Sequence, residues 1–121
     1  MPRVMIVEDD RDTREMLEQF LALEGFEVQT AANGRQALDT LAAGPPACVI
    51  VLDLMMPVMD GWQFRDAQAR DPRLSSIPVV VVTAAGPRDH VAPIDAYAWF
   101  SKPLDLERVL ETIDGICRPP E

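Results

Sequence analysis

Uninterrupted apolar runs alternate along this chain with segments whose apolar residues recur at helical spacing, and that alternation constrains the fold more than any other feature. Val4 to Val7, Cys48 to Leu52 and Val79 to Val82 are solid runs rich in β-branched residues, the pattern of strands buried on both faces. Phe26 to Thr30 alternates, and Tyr97 to Phe100 is a short aromatic run, so five strands are expected. Between the first two, Met16, Leu17, Phe20, Leu21 and Leu23 predict a helix, with Gly25 placed for a left-handed C-terminal cap. A second helix opens at Asn33-Gly34, carries Ala37, Leu38 and Leu41, and stops at Gly44-Pro45-Pro46. A third is expected from about Gly61 to Arg70, stopped by Asp71-Pro72. The last has Leu106, Val109, Leu110, Ile113 and Ile116 on one stripe and ends near Arg118-Pro119-Pro120.

Strands alternating with helices imply parallel pairing through right-handed crossovers. The expected fold is α/β: a doubly wound, flavodoxin-like sheet of five parallel strands in the order 2-1-3-4-5. Such sheets bind their ligand beyond the carboxyl ends of the strands, where the strand order reverses, here between the first and third strands. The residues that follow the strands are polar. The first strand runs into Glu8, Asp9 and Asp10, the third into Asp53, the fourth into Thr83, and the fifth into Ser101 and Lys102.

Carboxylates gathered this closely repel one another unless a cation neutralises them. Oxygen ligands without His or Cys suit a hard ion, Mg²⁺ or Mn²⁺. Asp9 and Asp53 are the preferred ligands, with Glu8 acting directly or through water. A divalent ion would also screen the approach of an anionic phosphoryl donor to a carboxylate nucleophile. Thr83 can donate a hydroxyl to a phosphoryl oxygen, and Lys102 can place a compact charge on another. Lys102 is the only lysine in a chain whose other basic side chains are all arginine. A flexible point charge fits a single phosphoryl oxygen better than a planar fork does.

A chain of 121 residues suits one core, and residues 1–121 are read as one domain. No apolar stretch approaches the roughly 20 residues of a membrane span, and no signal-peptide pattern precedes Glu8, so a cytoplasmic location is expected. The formal charge of −9 argues against a sequence-independent grip on nucleic acid. Cys48 and Cys117 show neither metal-ligand spacing nor a disulfide framework and are read as free thiols.

Four fragments, VMIVEDDRDTR, VIVLDLMMPVMDGWQF, PVVVVTA and WFSKPL, occur in the order found in the receiver domains of two-component response regulators, and the chain resembles that family along essentially its whole length. The resemblance implies that Glu8 and Asp9 form the acid pocket, that Asp53 is the phosphoacceptor, and that the Met55 carbonyl completes the metal shell. It implies further that Thr83 and Lys102 bind the phosphoryl group and that Trp99 stands at the switching aromatic position. Pro57 and Gly61 match the turn after the acceptor strand, and a cis Lys102-Pro103 bond is expected by the same analogy. The implied partners are a histidine kinase or phosphotransfer protein as donor and an unidentified output protein.

Other residues have plainer expected roles. Asp10 and Asp60 stand where helix N-caps belong. Met55, Met56 and Met59 are loop and packing residues, and the lone His90 is read as exposed. An aspartyl-nucleophile phosphatase would carry a second Asp two residues after the nucleophile, where this chain has Met55. A flavin carrier on the same fold would not present carboxylates to the flavin phosphate. The spacing from Thr83 to Lys102 is about three residues shorter than the resemblance leads one to expect, and Gly86-Pro87 and Pro93 interrupt it. A shortened or irregular fourth helix over Ala84 to Asp95 is therefore expected. The resemblance implies that this face commonly carries dimerisation and output in the family, so the usual dimer should be weakened, giving a monomer or weak dimer.

Overall fold

The computed structural model describes residues 2–84 and 94–118. Five strands, β1 (Arg3–Val7), β2 (Glu27–Ala31), β3 (Val49–Leu52), β4 (Val79–Thr83) and β5 (Ala98–Ser101), form one parallel sheet in the order β2-β1-β3-β4-β5. Four helices occur among the described residues: α1 (Arg11–Leu23), α2 (Gly34–Ala43), α3 (Gly61–Arg70) and α4 (Leu106–Cys117). The expected α/β architecture and strand order are those observed.

Successive side chains of a strand point to opposite faces, which explains why the central strands are apolar throughout. Met5, Val7, Ile50, Leu52, Val79 and Val81 face one way and pack with Ala37 and Leu41 of α2 and Phe64 of α3. Val4, Ile6, Val49, Val51, Val80 and Val82 face the other way, onto Leu17 and Leu21 of α1 and Val109 and Ile113 of α4. Each Val, Leu, Ile, Met or Phe side chain among them taken fully out of water contributes about 1.5–3 kcal/mol.

Side-chain caps set where the helices begin. Asp10, Asn33, Asp60 and Asp105 each accept a hydrogen bond from a backbone amide of the first turn, and Asp60 and Gln63 form a reciprocal capping box. The capping roles expected for Asp10 and Asp60 are thus observed. Gly25 follows α1 with φ of 91°, as its expected left-handed cap requires. The predicted α1 stripe is broader than the buried one: Leu17 and Leu21 are buried, whereas Met16 and Leu23 are exposed.

Several strand edges lie one residue from expectation, and at the start of β2 the cause is a flanking backbone group that is already used. The Phe26 amide donates to the Leu21 carbonyl at 3.1 Å, so the β2 ladder begins at Glu27 while Phe26 is buried beneath the turn. The fifth strand starts at Ala98 rather than Tyr97, whose side chain is exposed. The expected fourth helix falls largely on residues 85–93, which, with His90, lie outside the described residues; Ala84, Ile94 and Asp95 beside them are not helical.

The reading of the cysteines is corrected. Cys48 and Cys117 are joined in a disulfide, with an S–S distance of 2.06 Å and a Cα–Cα distance of 5.5 Å. The pairing was invisible in sequence because 69 positions separate the two, and only the packing of α4 across the sheet brings them together.

Candidate functional site

Register brings the polar strand ends to one level. Val7 lies opposite Leu52, so the residues that follow them, Glu8 and Asp53, emerge side by side between β1 and β3. Backbone hydrogen bonds continue the ladders by one step: the Glu8 amide donates to the Ala31 carbonyl at 3.0 Å, and the Asp53 amide to the Val7 carbonyl at 2.9 Å. Thr83 ends β4 opposite Ser101, and the Lys102 amide donates to the Thr83 carbonyl at 2.9 Å. The sheet thereby delivers two carboxylates, a hydroxyl and an ammonium to its carboxyl edge.

Carboxylate oxygens of Glu8, Asp9 and Asp53 lie within 4.8 Å of one another. Glu8 and Asp53 are buried and Asp9 is exposed, so the cluster opens to solvent on the Asp9 side. The Lys102 ammonium pairs with Glu8 and lies 3.7 Å from an Asp53 oxygen. One cation among three carboxylates leaves the group short of positive charge. Burial is the largest cause that pushes the Glu8 carboxyl up, to about 8, and its hydrogen bond to Asp53 adds to this; the Lys102 ammonium opposes both without prevailing. Desolvation pulls Lys102 the other way, but its hydrogen bond to Glu8 and the charges of Asp53, Glu8 and Asp10 outweigh it and raise the ammonium above its ordinary value. An oxygen-only donor set with surplus negative charge fits a hard divalent cation.

Asp10 belongs to the helix rather than to the cluster. Its carboxylate accepts from the Thr13 hydroxyl and, at 3.0 Å, from the Thr13 amide, and these bonds hold it below the ordinary carboxylate range. The Met55 side chain is exposed, while its amide faces the Asp53 Oδ1 at 3.4 Å. Thr83 is fully buried at its strand end. Trp99 is half-buried on β5 opposite Val81 and packs against the face that carries α2 and α3. The Lys102-Pro103 bond is cis, as the resemblance implied.

Two supporting features were missed or underread in sequence. Arg14 donates to the Glu8 carbonyl at 2.9 Å, tying the acidic loop to α1. An arginine one turn into a helix that starts just after an acidic strand end is the pattern that could have found it. Gly61 is more than a turn residue: a Cβ there would stand 2.7 Å from the Leu54 Cα and 2.8 Å from the Asp53 carbonyl oxygen, so only hydrogen fits behind the loop that follows β3.

Comparison with known proteins agrees with this geometry. The family model described as response regulator receiver domain matches residues 4–114. The response regulator MprA of Mycolicibacterium vanbaalenii is 37% identical over an alignment of 121 positions that covers 96% of this chain and 50% of that protein. The DNA-binding dual master transcriptional regulator RpaA of Synechocystis sp. is 33% identical, with 98% of this chain and 50% of that protein covered. The chain thus spans about half the length of these curated relatives. Among solved structures, the chemotaxis response regulator CheY4 of Vibrio cholerae superposes with a TM-score of 0.84 at 31% identity, covering 96% of this chain and 98% of that one. The response regulator TrrA of Thermotoga maritima, solved in complex with Mg²⁺-BeF, gives 0.84 at 25% identity, covering 96% and 99%. A family match over almost the whole chain, the sheet order, and an acidic cluster where that order reverses together place this chain in the response regulator receiver domain family, the phosphorylation switches of two-component signalling.

Proposed function

We propose that Asp53 accepts a phosphoryl group from the phosphohistidine of a histidine kinase or phosphotransfer protein, and that the modified domain relays the signal through a protein surface. The cluster of Glu8, Asp9 and Asp53 at the sheet edge, with the Lys102 ammonium 3.7 Å from Asp53, carries this reading. Glu8, Asp9, Asp53 and the Met55 carbonyl would hold Mg²⁺ or Mn²⁺, which when bound supplies charge neutralisation for an anionic nucleophile meeting an anionic donor. Asp53 provides the attacking oxygen. Lys102 and the Thr83 hydroxyl stabilise charge on the transferred group and hold it in line. Thr83 and Trp99 would report the modified state to the surface beyond β4 and β5.

The same proposal places the chain in the cytoplasm as one receiver domain, a monomer or weak dimer, with a protein as its output partner. Its net charge of −9 argues against direct nucleic-acid binding by these residues. No described helix is long and apolar enough to cross a membrane. The test is incubation with a small phosphodonor and Mg²⁺, followed by intact mass. The expected result is one phosphoryl addition to the wild type and none to Asp53→Ala; persistent single modification of that variant would refute the assignment.

A further inference from the structure

We propose that Cys48 and Cys117 form a reversible thiol–disulfide site that locks the end of α4 onto the sheet, giving the domain a redox input separate from the acidic cluster. Cys48 immediately precedes β3, whereas Asp53 immediately follows it, so the bond and the acceptor lie at opposite ends of the same central strand. Cys117 is the last residue of α4.

Three observations favour a bond that opens and closes over a permanent staple. Both cysteines are half-buried rather than enclosed in the core. The Cys48 Sγ lies 3.1 Å from the Arg3 carbonyl oxygen, so a reduced thiol has an acceptor already in place. The end of α4 also has a second tie: Arg118 donates to the Glu24 carbonyl at 3.1 Å, and its guanidinium lies 4.2 Å over the Phe26 ring. With Val109 and Ile113 buried against the sheet and Arg118 still tied, opening the bond loosens the last turn without undocking the helix. The cytoplasmic location proposed above adds a fourth reason, on which this inference in part rests: disulfides there are characteristically transient or redox-sensing.

The exchange needs a low-molecular-weight disulfide as oxidant. One cysteine thiolate attacks a sulfur of that molecule, forming a mixed disulfide and expelling one thiolate. The other cysteine thiolate then attacks the protein-bound sulfur, closing the Cys48–Cys117 bond and expelling the second thiolate. Two protein thiols are oxidised, one small disulfide is reduced to two thiols, and the two cysteine protons end on the expelled thiolates. Reduction runs the same steps backwards.

The test equilibrates the native protein across ratios of reduced to oxidised glutathione, quenches with acid, labels free thiols and counts labels by intact mass. Amide hydrogen exchange over residues 106–117 is measured in the same samples. The expected result is a reversible passage between two labels and none. Exchange in the last turn of α4 should be at least several-fold faster in the reduced form, with β1, β3 and β4 unchanged. The double variant Cys48→Ser, Cys117→Ser should match reduced wild type at every ratio. Two labels at all ratios, or none under excess reduced glutathione, would overturn the proposal. So would a stable glutathione adduct, or identical exchange in both forms. None of these readouts depends on phosphorylation, so failure here leaves the assignment of Asp53 untouched.

Discussion

Glu8→Gln should make the metal-free protein more stable at alkaline pH, although it removes half of an ion pair. In the unfolded chain the Glu8 carboxyl ionises near its ordinary 4.5; in the fold, burial first and then the hydrogen bond and charge of Asp53 hold it up to about 8. Between those values the native state binds more protons than the unfolded state, so stability falls as pH rises. The penalty is absent below 4.5 and complete above about 8. At about 1.4 kcal/mol per pH unit, the interval sets a ceiling of roughly 5 kcal/mol. Movement of Lys102 towards the carboxylate and water entering beside Asp9 would lower this, and we expect on the order of 2 kcal/mol or more. Gln keeps nearly the same volume and cannot ionise. The assay is urea denaturation of oxidised wild type and Glu8→Gln in chelator, from pH 4.5 to 8.5. Comparing the two removes the contribution of the overall charge, which both share apart from this group. The variant should gain on the wild type steadily across the range, and added Mg²⁺ should stabilise the wild type more at the alkaline end. A stability difference that does not change with pH would refute the reasoning.

Asp9→Ala should weaken Mg²⁺ binding by at least tenfold and slow phosphorylation in proportion, because it removes the exposed carboxylate of the cluster; unchanged affinity by calorimetry would show that Asp9 is not a ligand. Gly61→Ala should destabilise the fold by about 3 kcal/mol or more and reduce phosphorylation of the molecules that still fold. Its Cβ meets backbone atoms of Leu54 and Asp53 that cannot rotate away, and a thermal midpoint within a degree or two of wild type would count against this packing. Val58 is exposed with φ of 69°, a conformation that costs a β-branched residue about 1–2 kcal/mol. Val58→Asn should therefore raise stability by about 0.5–1 kcal/mol, and a loss of stability in urea denaturation would show that the loop is not strained there.

The sequence alone was enough for the strands, the helix opened by Asn33-Gly34, the helix start at Gly61 and the acidic strand ends, because each rests on a local cause; the sheet order then followed from the right-handed crossovers that such an alternation requires. An apolar run buried on two faces, a capping side chain, or a polar residue after the last strand position acts over a few neighbours and is written in order along the chain. The candidate site was legible for the same reason: a parallel sheet presents all its strand ends on one edge, so reading the residue after each strand lists the site. What tertiary structure decided depends on distance between remote residues or on exclusion of water. The upward shift of the Glu8 carboxyl follows from its complete burial beside Asp53, which the Lys102 ammonium opposes without prevailing, and no spacing encodes that. Met16 and Leu23 share helical spacing with Leu17 and Leu21 but are exposed, because a helix lying on a sheet buries only the narrow line it touches. Cys48 and Cys117 are joined because α4 crosses the sheet at the angle that brings its last residue to the start of β3, a proximity set by the packing of Val109 and Ile113 rather than by anything near either cysteine in the chain.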